Sequence, residues 1–298
     1  ADRLLAIVPM FHVNAWGLPY VACLVGAKVV FPGPALDGKS LHDLFEGEGV
    51  TMSAGVPTVW QGLLTYTDAN KLEFSTMKRT VIGGSACPPA MMEAFEHKYG
   101  VHVLHAWGMT EMSPLGTLCT LKNKHLRMGR DEQLHILQKL GRAIYGVEMK
   151  IVGADGKEQP WDGKAYGDLL VRGPWVMDTY FKGESPLVKD AEGRGWFPTG
   201  DVATIDADGF MQITDRSKDV IKSGGEWISS IDIENIAMAH PAVAMAACVG
   251  MPRTANRSLT DTAMPCNTPR RRPSLASASR RRASSSTAGQ STQAIGFR

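Results

Sequence analysis

The chain has 298 residues, of which 44% are hydrophobic and 21% charged, and it carries a formal net charge of +2. This describes a soluble globular protein of one large domain or two smaller ones, and no run reaches the roughly 18 apolar residues of a membrane span. From Pro252 onward nine arginines face one acid, Asp261, so the body before it is mildly acidic and gives no sign of a nucleic-acid partner.

Five cysteines (Cys23, Cys87, Cys119, Cys248, Cys266) are scattered without metal-ligand spacing, and the odd number argues against a disulfide framework. A reducing, cytoplasmic compartment is the simplest reading. The opening Ala-Asp-Arg-Leu-Leu-Ala-Ile-Val reads as entry into a buried strand rather than as a secretory signal. A start directly at a strand is what a fragment would show.

Residues 4–10 are a continuous apolar run of strand length, followed by Phe11-His12-Val13-Asn14 and an apolar helical stretch over 15–24. Residues 28–31 make the next strand, ended by Pro32-Gly33-Pro34, and a helical stretch covers 41–48. Residues 50–54 are strand-like again, and Pro57 sits well at a helix start ahead of 58–64. The strand at Thr80-Val81-Ile82 leads into Gly83-Gly84-Ser85-Ala86-Cys87-Pro88, and a helix is expected over 89–99. The strand 101–104 then leads into His105-Ala106-Trp107-Gly108-Met109-Thr110-Glu111. Alternating strands and helices with apolar strands predict a parallel sheet covered on both faces, an α/β fold. Both motifs fall at the carboxyl ends of strands, where open α/β sheets bind ligands. Two glycines allow close backbone approach, Trp107 offers a stacking face, Thr110 a hydroxyl, and Glu111 a carboxylate able to hold a divalent cation. Each half by itself is also compatible with an ordinary turn or helix start.

Residues 122–140 are polar and read as loop plus helix. A β-rich subdomain is predicted from Gly141 onward: strands at 147–152 and 167–172 with a turn at Ala154-Asp155-Gly156-Lys157. Gly195-Trp196-Phe197-Pro198-Thr199-Gly200-Asp201 places an aspartate immediately after a tight turn. Fourteen residues on comes Asp215-Arg216-Ser217-Lys218-Asp219-Val220-Ile221-Lys222-Ser223-Gly224-Gly225-Glu226-Trp227-Ile228-Ser229. An amphipathic helix is expected over 230–239, stopped by His240-Pro241, and a strand over 243–249. Beyond Pro252 the Arg/Ser-rich segment has too little to bury and is expected to be disordered. It reads either as a nucleic-acid-binding arm or as translation in a shifted frame.

Taken in order, these segments resemble the adenylate-forming superfamily that includes acyl-CoA synthetases, luciferases and peptide-synthetase adenylation domains. The resemblance covers about residues 6–251, and Glu226-Trp227-Ile228-Ser229 is similar to the form in fatty-acyl-CoA synthetases. It implies a large AMP-binding domain with an α/β part (1–140) and a β-rich part (141–216). A hinge and the start of a small domain would follow (217–251), then the tail (252–298).

The activity implied is formation of an acyl-adenylate from ATP and a medium- or long-chain fatty acid, then thioester formation with coenzyme A. Glu111 would hold Mg²⁺ and Thr110 would donate to the α-phosphate. Gly84, Ser85 and Ala86 would form one wall of an adenine slot and Trp107 the other, with His105 near the exocyclic amine. Family members more often carry tyrosine at the Trp107 position. Asp201 and Arg216 would fix the ribose, Lys218 would mark the hinge, Lys222 would be cofactor-binding, and Gly224 and Gly225 would line the passage for the coenzyme arm. A histidine after a strand is equally fit for a structural hydrogen bond, and a tryptophan for the core. The resemblance places His12 beside the carboxylate, and Trp16, Val56, Thr58, Gly108 and Met109 in the acyl pocket.

The family's Ser/Thr/Gly-rich phosphate loop and its C-terminal lysine have no counterpart here, so impaired turnover is expected. Sheet edges and apolar faces left open by a missing upstream portion would make the fragment poorly soluble. A non-catalytic AMP- or acyl-adenylate-binding fragment and an Arg-rich nucleic-acid-binding protein are the other readings. No stable nucleic-acid partner and no transmembrane segment are expected, with peripheral membrane association left open.

Overall fold

The computed structural model describes residues 1–216, 221–223, 226–228, 230–238 and the single residues 243, 246 and 248. The α/β architecture expected from the sequence is present. A seven-stranded sheet has the order β2-β1-β3-β4-β5-β6-β7, with β1 at Arg3–Ala6, β2 at Lys28–Val30, β3 at Met52–Gly55 and β4 at Arg79–Ile82. Its other strands are β5 at His102–Gly108, β6 at Leu115–Leu118 and β7 at Arg142–Ala143. The first five strands are parallel. β6 runs antiparallel to β5, and β7 antiparallel to β6, so the sheet is mixed rather than wholly parallel. The cause is the connection between β5 and β6. Six residues cannot make the crossover that a parallel pair requires. Gly108 permits the reversal, since a Cβ there would lie 1.9 Å from the Pro114 carbonyl oxygen.

Helices pack on this sheet between its parallel strands: α3 (Gly38–Gly47), α4 (Pro57–Asn70) and α5 (Pro89–Glu93, continued by a wider turn Ala94–Lys98). Asp37 caps α3, accepting from the Ser40 amide and hydroxyl. α4 runs six residues beyond its sequence-predicted end. A buried stripe at helical spacing, Trp60, Leu63, Leu64 and Thr67, runs from its first half into the polar second half. The buried Thr67 hydroxyl is satisfied by the Leu64 carbonyl and the Tyr99 hydroxyl. Phe45, Trp60, Phe95, Ile82 and Val103 join this core.

The predicted helix over 15–24 is instead two pieces. α1 (Val13–Trp16) is a single turn in which all four residues take positive φ, from 43° to 55°, a conformation that the β-branched Val13 resists. Gly17, also at positive φ, then starts α2 (Leu18–Val25). The outer face of α2 shows Tyr20, Val21, Leu24 and Val25 to solvent.

The second sheet has the order β10-β11-β9-β8, with β12 also paired to β11, along its later residues. Its strands are β8 (Glu148–Val152), β9 (Tyr166–Arg172), β10 (Val188–Lys189), β11 (Gly195–Ile205) and β12 (Met211–Arg216), all antiparallel. The two sheets are stitched where Leu140 donates to the Met211 carbonyl and Met211 to that of Gly141. Met149, Ile151, Leu169, Val171, Ala203 and Met211 form a core between them, which Trp107 and Met112 of the first sheet complete. A hairpin of β13 (Ile221–Ser223) and β14 (Glu226–Ile228) precedes helix α6 within the C-terminal part. That last helix spans Ser230–Met238. Of the strand expected over 243–249 only residues 243, 246 and 248 are described, none of them in a strand, and the tail from 252 lies outside the described residues. Among the described residues no helix is long and apolar enough to cross a membrane.

Candidate functional site

Strand β4 ends at Ile82, which lies beside His105 of β5 in parallel register. The glycine pair thus leaves the sheet at a strand tip, as the sequence indicated. The second motif does not: β5 continues through His105, Ala106 and Trp107 to Gly108, so these residues are part of the strand. Pairing with β6 extends it, a partner that no pattern in residues 105–108 announces. Gly83 runs close against this extension, where a Cβ would sit 2.9 Å from the Ala106 carbonyl oxygen.

His105 is 3% exposed and committed on both ring nitrogens. Nδ1 donates to the Gln138 carbonyl at 3.0 Å, and Nε2 accepts the Cys87 amide at 3.3 Å. Burial pushes its pKa down to about 4, so the ring is neutral near pH 7. It pins the far end of the Gly83–Cys87 loop to Gln138, just after a short helix at Arg130–Leu137, and does not reach the cavity wall.

A cavity of about 340 Å³ opens beside these strand ends. His12, Trp16, Gly84, Trp107, Gly108, Met109 and Thr110, all singled out from the sequence, lie on its wall. The sequence reading missed its floor: Ala54 of β3, Val81 of β4 and Leu104 of β5 stand in one cross-strand row facing it. The signal was the strand alternation, but only the register shows that the three form a row. Trp16 also lies over the glycine pair, 3.5 Å from a Cβ placed at Gly83 or Gly84. Ser85 and Ala86 are exposed and off the wall, and Thr58 points to solvent from the first turn of α4. Val56 caps that helix and packs toward Gly84, again off the wall.

Trp107 reaches from the cavity to the second sheet. Its ring lies on Gly116 of β6, where a Cβ would come within 2.5 Å of it. Its Nε1 donates to Oδ2 of Asp201 at 3.1 Å, across 94 residues of sequence. Asp201 is not after a tight turn but inside β11, at an irregularity where the pairing with β9 jumps between Pro198 and Val202. Gly200, at φ +77°, makes that bulge. Arg216, opposite Asp201 on β12, holds Nε 3.9 Å from Oδ1, with a side chain 65% exposed. Burial pushes the Asp201 carboxyl up, against the lowering pull of the Trp107 N–H and of Arg216.

Glu111 sits on the short turn Thr110–Met112. Its Oε1 accepts the Tyr180 hydroxyl at 2.9 Å, and its carbonyl accepts the Met177 amide at 2.8 Å. Ser113 donates to the Trp175 carbonyl at 3.1 Å, so the loop after β9 is laid along this segment. Nothing in the sequence marked Tyr180. Among the described residues no three His, Cys, Asp or Glu side chains gather as a metal cluster. Lys218, Gly224 and Gly225 lie outside the described residues. Lys222 is on β13, where only its backbone is described.

The AMP-binding enzyme family model matches residues 1–181. The 3-methylmercaptopropionyl-CoA ligase of Ruegeria lacuscaerulensis is 53% identical over 84% of this chain and 46% of its own length. The medium-chain-fatty-acid–CoA ligase of Ectopseudomonas oleovorans is 53% identical over 83% of this chain and 45% of its own. Among solved structures, o-succinylbenzoate CoA synthetase of Bacillus subtilis, in complex with its acyl-adenylate intermediate, superimposes with a TM-score of 0.69 at 27% identity. That match covers 85% of this chain and 49% of the other. The chain spans about half the length of the curated relatives it matches.

Proposed function

Because the chain belongs to the AMP-binding enzyme family, we propose that it carries the adenylate-binding and acyl-binding parts of an acid–thiol ligase. One observation supports this above the rest: an indole on the wall of an apolar cavity is hydrogen-bonded to a buried carboxylate from the other sheet. A flat base fits between the Gly84 backbone and the Trp107 ring, and the remaining acceptor positions of Asp201 suit the two hydroxyls of a ribose. Arg216 fixes the same sugar from the solvent side.

In the reaction proposed, the carboxylate of the acid attacks the α-phosphate of ATP, forming an acyl-adenylate and releasing pyrophosphate. The thiol of coenzyme A then attacks the acyl carbon, and AMP leaves. Chemistry of this kind needs positioning and charge neutralisation more than covalent help. The Thr110 hydroxyl is placed to donate to the α-phosphate, and His12 and Gly108 to receive the acid's carboxylate. Among the described residues no cluster of three potential ligands forms around Glu111, which suits Mg²⁺ held by one side chain together with phosphate oxygens. When bound there, the cation neutralises phosphate charge. Lys218 acts as the hinge between the half-reactions, and Lys222, Gly224 and Gly225 flank the coenzyme's path.

The acyl chain lies on the row Ala54, Val81 and Leu104, with Trp16 and Met109 beside it. A wall so apolar selects an unbranched alkyl or methylthioalkyl acid over an amino acid, the two acyl types named in the relatives above. Calorimetry of the chain with AMP and with 5′-O-(N-octanoylsulfamoyl)adenosine tests the reading. We expect both to bind, the acyl analogue at least about tenfold more tightly because it fills two subsites. Absence of binding by either overturns the proposal, and equal affinities overturn the acyl site alone.

A further inference from the structure

Trp107 presents two different surfaces. The ring lines the cavity, while its N–H edge is engaged with Asp201. Both partners are almost fully buried, at 8% and 9% exposure. A desolvated carboxylate needs donors. Among the described residues the Asp201 carboxylate receives its hydrogen bond from this indole, and Arg216 stands off at 3.9 Å on the other oxygen. The donor is itself immobile. The indole is wedged on the Gly116 backbone, where even a methyl group would collide, and the carboxylate rides on the Gly200–Asp201 bulge of the opposite sheet. With Oδ2 held, rotation of the carboxylate is restrained and Oδ1 is left to face a ligand.

We infer that Trp107 is a positioning residue for ribose recognition as well as a stacking surface: its N–H orients Asp201, so that base and sugar are read by one rigid unit. The inference rests on the nucleotide reading above but asks more of Trp107 than that reading does. A ring that merely stacks contributes equally to AMP and to a nucleotide lacking sugar hydroxyls. A ring that also aims Asp201 contributes to the difference between them.

The test is calorimetry of the full chain with AMP and with 2′,3′-dideoxy-AMP. It compares the parent with Trp107→Phe, Asp201→Ala and the double variant. Two hydroxyls donating to a charged acceptor should give the parent a preference for AMP of about tenfold or more. Trp107→Phe should cut that preference at least about threefold, and adding Asp201→Ala to it should cost little further. An unchanged preference in Trp107→Phe, or fully additive losses, overturns the inference while leaving the nucleotide site standing. A parent chain that does not bind AMP overturns both.

A second readout needs no ligand and no tryptophan replacement. In ¹⁵N-tryptophan-labelled protein one indole N–H resonance should move strongly on Asp201→Ala and less on Asp201→Asn, which keeps an acceptor. If no indole resonance responds to Asp201→Ala, the inference fails.

Discussion

Replacing His105 with glutamine removes a group whose burial makes the fold depend on pH. Its folded pKa of about 4 lies below the ordinary histidine value of 6.5. The fold therefore favours the neutral ring, and the unfolded chain binds the proton first as the pH falls. The stability at stake is complete above pH 6.5, declines as the pH drops toward 4, and declines no further below that. A shift of this size is worth roughly 3 kcal/mol over the whole window, and about 2 kcal/mol between pH 7.5 and pH 5. The assay is urea unfolding of the parent and of His105→Gln at both pH values, extrapolated linearly to water. Groups that titrate alike in both proteins cancel in the comparison. The variant should be less stable at pH 7.5, having lost two hydrogen-bond arrangements, yet should lose about 2 kcal/mol less on acidification. Parallel losses in the two proteins would mean that His105 is hydrated or charged in the fold, and the neutral pin described above would be wrong.

Gly108→Ala should cost about 3 kcal/mol or more, because its methyl group falls on the Pro114 carbonyl; an unchanged melting temperature would refute the turn geometry. Cys87 and Cys119 are buried with thiols pushed up to about 12, so roughly one in ten thousand is thiolate at pH 8. Iodoacetamide followed by peptide mass spectrometry should therefore label the exposed Cys23 and spare both until denaturant is added; labelling of Cys87 as fast as of Cys23 would contradict its burial. Tyr180→Phe removes the hydroxyl that holds Glu111 and should raise the Mg²⁺ needed for half-maximal ATP binding about threefold, AMP binding without Mg²⁺ staying constant. An unchanged Mg²⁺ requirement would show that the hydroxyl does not position Glu111.

The sequence exposed the parts of the fold that local chemistry dictates. An apolar run ending in Gly83-Gly84 announces a strand tip, and Pro57 announces a helix start. What depends on pairing between distant segments stayed hidden. Nothing in residues 105–108 says that a reversed strand will extend β5, and nothing in Val13-Asn14-Ala15-Trp16 asks for positive φ. The polar half of α4 concealed a buried Thr67, whose hydroxyl is satisfied by the Leu64 carbonyl of its own helix and by the distant Tyr99 hydroxyl. In the same way Trp107, Asp201 and Arg216 could each be picked out along the chain. That the indole edge meets the carboxylate is set by the bulge at Gly200 and by the flat seat at Gly116. Tyr180 had no marker because it acts through a loop whose course the rest of the fold decides.

The seam at Gly141 limits what protein engineering can ask of this scaffold. A Cβ at that position would sit 2.1 Å from the Leu118 carbonyl carbon, and the backbone there, at φ +82°, trades hydrogen bonds with Met211. At this seam the two sheets are thus joined main chain to main chain, with no side chain of Gly141 to trim or enlarge as a shim. Variants selected for new acids or altered nucleotides will find their latitude in the loops and in the row of Ala54, Val81 and Leu104. The join at Gly141 itself will stay as it is now.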